Sequence, residues 1–261
     1  MTPATTQPAA LAADLGPTRR YLVVVDFDGT LAPIVDRPQD ARPAPGAVDA
    51  LTALAQRTTV AVLSGRPLRE LQQHFPDELL LVGGHGAQAR EPGGAVQDLI
   101  GIGQLTTALD QAEEDVRTAV DDRTGWLVER KLASLAVHHR LVPEDEEAEL
   151  LPRISALLES RREDPPGFAV LTGKAILELR PTELDKGRAL TWMLERHPGL
   201  VPLVFGDDHT DEDAFEVAVD RGGRAVIVGD EQRPTAATDR LADPAAVVDT
   251  LRALAQPTGG R

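Results

Sequence analysis

Short apolar runs alternate with amphipathic stretches over the first hundred residues of the chain. β-Branched and apolar residues dominate YLVVVD (21–26), TTVAVLSG (58–65) and LLLVGG (79–84), which predicts strands buried on both faces. The stretches that follow the first two runs, at 44–57 and 66–75, have the spacing of amphipathic helices. Strands and helices in alternation indicate a parallel sheet covered by helices.

The pattern changes between residues 104 and 181. The predicted elements there run helix, strand, strand, helix, strand, strand, from QLTTALDQAEEDVRTAVDDR through WLVERK and LASLAVHHR to FAVLT and AILELR. Pro152 is expected to bend the second of these helices. This order predicts a small α+β domain inserted into the parallel one.

Alternation returns afterwards, with the helix DKGRALTWMLERH, the buried strand PLVFGD, the helix DEDAFEVAVD, the strand GRAVIVG and a closing helix. The fold class is therefore predicted as α/β, with a parallel core in two parts, 20–103 and 182–256, and an inserted domain at 104–181. Residues 1–19, rich in Ala, Pro and Thr, are predicted to form a flexible tail, and so are residues 257–261.

Composition narrows the function classes. A net charge of −15 argues against a nucleic-acid partner, and the chain has no cysteine for a disulfide or thiolate site. No apolar run reaches about 18 residues and the first twenty residues do not resemble a signal peptide, so we expect no membrane partner and a cytoplasmic location. Only three of the 27 basic residues are lysines, at positions 131, 174 and 186.

DFDGT follows the first predicted strand, and ligand sites in open parallel sheets lie beyond the carboxyl ends of strands. Asp26 and Asp28 are two residues apart, so one carboxylate can attack and hold a hard cation while the other exchanges a proton. Gly29 permits a tight turn close to an anion, and Thr30 adds a hydroxyl donor. An ordinary Asp/Gly turn is the alternative.

Two further residues carry groups suited to binding phosphate. Ser64, in LSGR after the second strand, offers a hydroxyl donor, although a helix N-cap three residues before Pro67 is the alternative. Lys186, in LDKG, offers a compact positive charge, and a solvated helix lysine is the alternative.

GDDHTDEDAF places Asp207, Asp208 and Asp211 within five residues after a buried strand. Unpaired, these carboxylates would raise one another's pKa, and a divalent cation removes that cost. Oxygen-only ligands favour Mg²⁺ over Zn²⁺. An acidic helix N-terminus is the alternative, and it accounts poorly for Asp207 at the strand end.

With these residues in this order, the sequence resembles the haloacid dehalogenase (HAD) superfamily and, within it, the trehalose-6-phosphate phosphatase family of trehalose biosynthesis. The shared segments are DFDGTLAPIVDRP, LSGR, GGHGAQ, VERKLASLAVHHR, GKAILELRP, DKGRAL and FGDDHTDEDAF, and all three lysines fall inside them. The resemblance implies a Rossmann-like core and a cap of the C2B type, α-β-β-α-β-β.

The resemblance also implies roles for the residues named above. Asp26 attacks phosphorus, forming an aspartyl-phosphate, and Asp28 protonates the leaving sugar oxygen and then activates water. Mg²⁺ is held by Asp26, the carbonyl of Asp28 and Asp207, with support from Asp208 or Asp211. Ser64 and Lys186 hold the phosphoryl oxygens. The substrate-binding residues that it implies, or that lie near the site, are Thr30, Gly65, Arg66, His85, His139, Arg140, Lys174, Glu178 and Arg180.

On the strand AILELR, Ile176, Glu178 and Arg180 share one face. That face can serve the sugar or, because Ile176 is apolar, the core of the inserted domain.

The expected partner is a small sugar phosphate, trehalose 6-phosphate, bound by a monomer. Other capped sugar phosphatases, acting on sucrose phosphate, glucosylglycerate-type phosphates or mannosyl-phosphoglycerate, are alternatives. A phospho-acceptor receiver domain would need about half this length. An inactive sensor is disfavoured because every catalytic position is filled. A DxD glycosyltransferase would leave Ser64, Lys186 and Asp207 without a role.

Overall fold

The structure is a computed structural model that describes residues 3–16, 21–35, 37–164, 167–173 and 175–256. The chain folds as two compact units, one made of Met1–Gln97 with Asp185–Arg261 and the other of Asp98–Leu184. The second unit begins at Asp98 and ends at Leu184, whereas the sequence predicted an inserted domain at 104–181.

Strands are numbered along the chain. Those in the described residues are β1 Tyr21–Val25, β2 Thr59–Leu63, β3 Leu80–Gly83, β4 Gln88–Arg90, β5 Val96–Asp98, β6 Leu127–Arg130, β7 Leu135–His138, β8 Phe168–Gly173, β9 Ile176–Pro181, β10 Val201–Gly206, β11 Arg224–Val228 and β12 Asp239–Leu241. The α-helices are α1 Pro8–Leu15, α2 Ala47–Ala55, α3 Leu68–His74, α4 Ile102–Val120, α5 Glu144–Glu159, α6 Lys186–Arg196, α7 Glu212–Asp220 and α8 Pro244–Ala255.

The main sheet of the described residues has the order β12-β11-β10-β1-β2-β3-β4-β5, and it is parallel from β12 to β3. β1 is central and buried along its whole length, as its apolar run predicts. In register, Val25 lies opposite Phe205 of β10 and Val62 of β2. The chain segments that leave these strands therefore emerge at the same edge of the sheet.

The sheet extends further than the sequence pattern indicated. β4 pairs antiparallel with β3, and the short strand β12 adds to β11. Both are three residues long, which is too short for a periodic apolar signal.

The prediction of a flexible tail at residues 1–19 is wrong for the described part, 3–16. Residues 8–15 form α1, which packs against α8, and Leu11 and Leu15 are buried in the main core. The hydroxyl of Tyr21 donates to the carbonyl of Leu15, and the amide of Thr6 donates to the carbonyl of Arg240. Apolar burial and these bonds offset the entropy of ordering the segment. Residues 17–19 and 257–261 lie outside the described residues.

The second unit contains an antiparallel sheet of order β6-β7-β9-β8 with α4 and α5 packed on it. Its elements follow the predicted order of helix, strand, strand, helix, strand, strand. Pro152 lies inside α5, which spans Glu144–Glu159. In β9, Leu177 and Leu179 are buried, whereas Ile176, Glu178 and Arg180 are half-buried on the opposite face. The core of this unit therefore uses the other face of β9 from the one that carries Glu178.

The predicted mixed α/β fold with a parallel sheet is confirmed. Among the helices of the described residues, none combines the length and the hydrophobicity that a membrane span requires.

Candidate functional site

A buried lysine joins two carboxylates at the carboxyl edge of the main sheet. Lys186, the first residue of α6, donates from Nζ to Oδ1 of Asp26 at 2.8 Å and to Oδ1 of Asp211 at 2.7 Å. All three side chains are at least nine-tenths buried. The alternative of a solvated helix lysine is therefore wrong, because Lys186 is enclosed by the acids that it neutralises.

Asp207 lies beside this group, where the chain leaves β10. Its Oδ1 accepts a hydrogen bond from Thr30 Oγ1 at 3.3 Å. Gly29, with φ +78°, packs so closely that a Cβ there would lie 2.0 Å from Oδ2 of Asp207. Gly29 is therefore needed both for its backbone conformation and for the space that the Asp207 carboxylate occupies.

Three carboxylates converge at this edge. One oxygen from each of Asp26, Asp207 and Asp211 lies within 4.8 Å of the others. Carboxylate oxygens are the ligands that Mg²⁺ takes in proteins, and they gather here from two strand ends of the sheet. With no cysteine in the chain, the set consists of hard oxygen donors. The acidic cluster therefore suits a divalent metal ion.

Electrostatics favour a cation here as well. Three carboxylates, two of them buried and that of Asp207 half-buried, and one ammonium leave two formal negative charges in this group. Burial raises the pKa of Asp26; Lys186 opposes this rise and Asp211 adds to it. Burial and the neighbouring Asp211 raise the pKa of Asp207 to about 6. Burial alone would lower the pKa of Lys186, but attraction to Asp26 and Asp211 raises it overall.

Asp211 organises the turn after β10. Its Oδ2 accepts hydrogen bonds from the backbone amides of Asp207 and Asp208, each at 3.1 Å, while its Oδ1 binds Lys186. Asp208 is exposed, and its carboxylate accepts from the amide of His209. Asp208 is not part of the convergent group of carboxylates. The alternative of an acidic helix N-terminus holds in part for Asp211, because Asp208 and Asp211 form a capping box at the short 3-10 helix His209–Asp211. That role uses Oδ2 of Asp211, while Oδ1 binds Lys186 in the site.

Asp28 is held by a forked ion pair. Arg66 donates from Nε to Oδ2 at 2.6 Å and from a terminal nitrogen to Oδ1 at 2.7 Å. The guanidinium also lies 5.1 Å from the ring centre of Phe27 and pairs with Glu70. Arg66 was predicted to bind substrate, and in this structure it binds the predicted acid–base carboxylate.

Ser64 is buried and its Oγ accepts from the amide of Arg66 at 3.2 Å. The N-cap of α3 is Pro67, so the N-cap alternative for Ser64 is wrong. His85 has φ +55°, donates its amide to the carbonyl of Ser64, and sets its ring against Gly65, where a Cβ would lie 2.5 Å from Nε2. Ser64, Gly65 and His85 therefore form one packed group.

The residues predicted in the inserted unit form contacts within it. Glu178 accepts from Lys131 at 3.0 Å and from Ser134 at 2.7 Å. His139 is buried, hydrogen-bonds Glu147 at 2.6 Å, and its ring centre lies 6.1 Å from that of Trp126. Arg140 is exposed and Arg180 half-buried, and Lys174 lies outside the described residues. His139 therefore has a packing role in the unit, and its substrate role stays a prediction.

Sequence reasoning missed one residue next to the acidic cluster. Arg233, on the loop between β11 and β12, donates to the backbone carbonyl of Asp207 at 3.4 Å and pairs with Glu212. A single arginine in an irregular loop gives no periodic or motif signal, so only the structure could identify it.

Comparison with known proteins points to one family. Residues 24–245 match the family model for trehalose-phosphatase. The chain is 37% identical over 246 residues to the trehalose-phosphate phosphatase of Mycobacterium marinum. The aligned region covers 90% of this chain and 62% of that protein. The trehalose-6-phosphate phosphatase of Aspergillus fumigatus superposes with a TM-score of 0.74 at 27% identity, covering 97% of this chain and 99% of that one.

A second solved structure, a trehalose-6-phosphate phosphatase related protein, has a TM-score of 0.70 at 28% identity and covers 88% of this chain and 95% of that one. The chain spans less than two thirds of the length of the curated relatives it matches. Sequence, fold and the acidic cluster agree, and the chain belongs to the trehalose-phosphatase family.

Proposed function

We propose that this chain is a Mg²⁺-dependent phosphatase that hydrolyses trehalose 6-phosphate to trehalose and phosphate through an aspartyl-phosphate on Asp26. The observation that carries the proposal is the buried contact of Lys186 with Asp26 and Asp211, beside Asp207. Family membership supplies the substrate class. Phosphoryl transfer to a carboxylate needs a nucleophile, a cation and donors around the phosphoryl oxygens, and this group of residues offers each.

The nucleophile is Asp26. Lys186 binds its Oδ1 at 2.8 Å, which fixes the carboxylate, and we assign the attack on phosphorus to Oδ2. In the first step the Asp26–phosphorus bond forms and the bond to the sugar oxygen breaks. In the second step water attacks phosphorus, phosphate leaves, and the Asp26 carboxylate is restored.

Asp28 serves as acid and then base. It gives a proton to the departing sugar oxygen in the first step and removes one from the attacking water in the second. Arg66 donates to both of its oxygens, so we infer that Arg66 orients Asp28 and yields one contact as the proton moves. Ser64 and Lys186 donate to the phosphoryl oxygens. Ser64 Oγ accepts from the Arg66 amide and keeps its proton as a donor. The ammonium of Lys186 has three donors, of which two contact Asp26 and Asp211.

Asp26 and Asp207 are the carboxylates that fit Mg²⁺ best. Both oxygens of Asp211 are already used by Lys186 and by two backbone amides, so we assign Asp211 a supporting part. Mg²⁺ commonly binds one or two carboxylates and retains waters, which suits this set. When bound, the cation reduces the repulsion between Asp26 and an incoming phosphate.

We further propose that the inserted unit acts as the cap and binds the sugar, with Arg140, Glu178 and Arg180 as contact residues and with Lys174 and His139 assisting. The half-buried polar face of β9 supports this assignment. The predictions of a monomer and a cytoplasmic location also stand as proposals, and sedimentation of the purified chain tests the first.

The deciding experiment compares phosphate release from trehalose 6-phosphate, glucose 6-phosphate and sucrose 6-phosphate, each with Mg²⁺ and with EDTA. We expect rapid release from trehalose 6-phosphate alone, abolished by EDTA and restored by Mg²⁺. Preference for sucrose 6-phosphate would move the chain to a different sugar phosphatase activity. If no phosphate is released from any of the three sugar phosphates, the result would favour an inactive sugar-phosphate sensor.

A further inference from the structure

A buried arginine from an irregular loop reaches the backbone of Asp207. Arg233 is 5% exposed and lies on the segment that joins β11 to β12. One terminal nitrogen donates to the carbonyl oxygen of Asp207 at 3.4 Å, and the other pairs with Oε1 of Glu212. The guanidinium thus connects the acidic turn after β10 to the start of α7.

Glu212 is itself held in place. Its Oε2 accepts a hydrogen bond from the amide of Ala236 at 2.8 Å, from the same loop that carries Arg233. Asp207, Arg233, Glu212 and Ala236 therefore form a connected chain of contacts that ties the β11–β12 loop to the acidic turn. An arginine fork can serve a carboxylate and a carbonyl at once, whereas a lysine ammonium is a point charge without that planar geometry.

The backbone of Asp207 needs such a brace because its side chain has little freedom. The carboxylate is confined by Gly29 and takes a hydrogen bond from Thr30. Small movements of the Asp207 peptide are therefore passed to the carboxylate oxygens. A cation site tolerates little displacement of its ligands, and outer partners that fix ligands typically change metal affinity 10–100-fold.

We propose that Arg233, clamped by Glu212, is a positioning residue for the divalent-cation site and sets its affinity through the backbone of Asp207. This proposal rests on the cation site of the proposed function. It concerns a residue outside all the motifs of the sequence, and it predicts that metal affinity depends on a loop that contributes no ligand.

The test substitutes lysine for two buried arginines of the same region. Arg233→Lys keeps the charge and removes the fork. Arg240→Lys is the matched control, because Arg240 is 2% exposed and is therefore as buried as Arg233. Arg240 donates to the carbonyls of Gly229, Glu231 and Pro3, which lie outside the acidic turn. Mn²⁺ titrated into the resting protein and followed by electron paramagnetic resonance gives the dissociation constant without turnover.

We expect Arg233→Lys to raise the Mn²⁺ dissociation constant about tenfold or more, with a parallel rise in the Mg²⁺ concentration for half-maximal phosphate release. Glu212→Gln, which weakens the clamp, should move both values in the same direction by less. Arg240→Lys should lower the unfolding midpoint and leave both constants unchanged.

Two results would overturn the proposal: wild-type Mn²⁺ affinity in folded Arg233→Lys, or an equal loss of affinity in Arg240→Lys. If Arg233→Lys does not fold, Glu212→Gln decides alone, and unchanged affinity there refutes the idea. If the wild-type chain binds no Mn²⁺, the cation site itself is contradicted, and it is then the proposed function that fails.

Discussion

Two lysine-centred clusters in this chain differ mainly in burial. In the main unit, Lys186 is 3% exposed and is enclosed by Asp26 and Asp211, which are 8% and 2% exposed. In the inserted unit, Lys131 is 39% exposed and pairs with Glu178, which is 21% exposed. Water solvates the second pair and is excluded from the first.

The difference indicates how each cluster can be used. Buried charges are retained only when they are paired, so the first cluster is a fixed arrangement in which each group depends on the others. A half-exposed pair contributes little to stability and can exchange its partner for a ligand at small cost. We therefore assign chemistry to the first cluster and substrate selection to the second.

The comparison is tested most strongly by removing each lysine. Lys186→Met leaves two buried carboxylates without their cation, so we expect a loss of about 3–5 kcal/mol in the free energy of unfolding. Lys131→Met should change it by at most about 1 kcal/mol. Urea unfolding of both variants in EDTA measures the two free energies of unfolding. Equal losses of stability would show that the two clusters do not differ in the way that their burial indicates.

The tightness of the buried cluster can be tested at Gly29. Gly29→Ala places a Cβ 2.0 Å from Oδ2 of Asp207, so we expect phosphate release to fall about 100-fold or more. Gly93→Ala is the control, since Gly93 also has positive φ, +65°, and an added Cβ meets no described atom within 4 Å beyond its neighbours. It should cost about 1–2 kcal/mol of stability and no activity. A similar loss of activity in both variants would point to backbone strain alone.

The half-exposed cluster is tested at Glu178. Glu178→Gln keeps an acceptor for Ser134 and removes the charge, so we expect about tenfold lower kcat/KM for trehalose 6-phosphate and little change for p-nitrophenyl phosphate. Glu129→Gln, which alters an exposed pair with His138 in the same unit, should affect neither substrate. Equal losses on both substrates after Glu178→Gln would assign Glu178 to packing.

A smaller effect is expected at His74, which is intermediate in exposure and stacks on Phe27. Burial, with help from Arg42 and Arg66, lowers the pKa of His74 below 6.5 in the folded chain. The unfolded chain then binds more protons, so stability falls as the pH drops below about 6.5. His74→Gln should reduce the stability difference between pH 7.5 and pH 5, as measured by urea unfolding. An unchanged difference would contradict the shift.

The sequence was sufficient to predict that Asp26 and Asp207 meet, because each follows a strand of one parallel sheet and those strand ends share an edge. Lys186 is the first residue of the helix α6, so the strand-end rule does not place it, and its predicted role came from the family resemblance. It did not reveal the fork from Arg66 to Asp28 or the brace from Arg233 to Asp207. Both depend on the rotamers of long side chains and on loop paths, for which no periodicity exists.

The same limit applies to the ends of the chain. Leu11 and Leu15 are four residues apart on one helical face, but the residues around them are mainly Ala, Pro and Thr, which suggested a tail. Its order comes from packing against α8, a contact more than two hundred residues away in the sequence. Local composition cannot report such a contact.

The proposed mechanism is tested most directly by asking whether phosphate becomes covalently attached to Asp26. Phosphate-labelled trehalose 6-phosphate is mixed with excess enzyme and Mg²⁺, quenched in acid within milliseconds, and the protein is digested and mapped. We expect a transient, hydroxylamine-sensitive label on the peptide that contains Asp26, stronger in Asp28→Asn and absent, together with turnover, in Asp26→Asn. Steady phosphate release by Asp26→Asn, or a label on any other residue, would contradict the proposed mechanism.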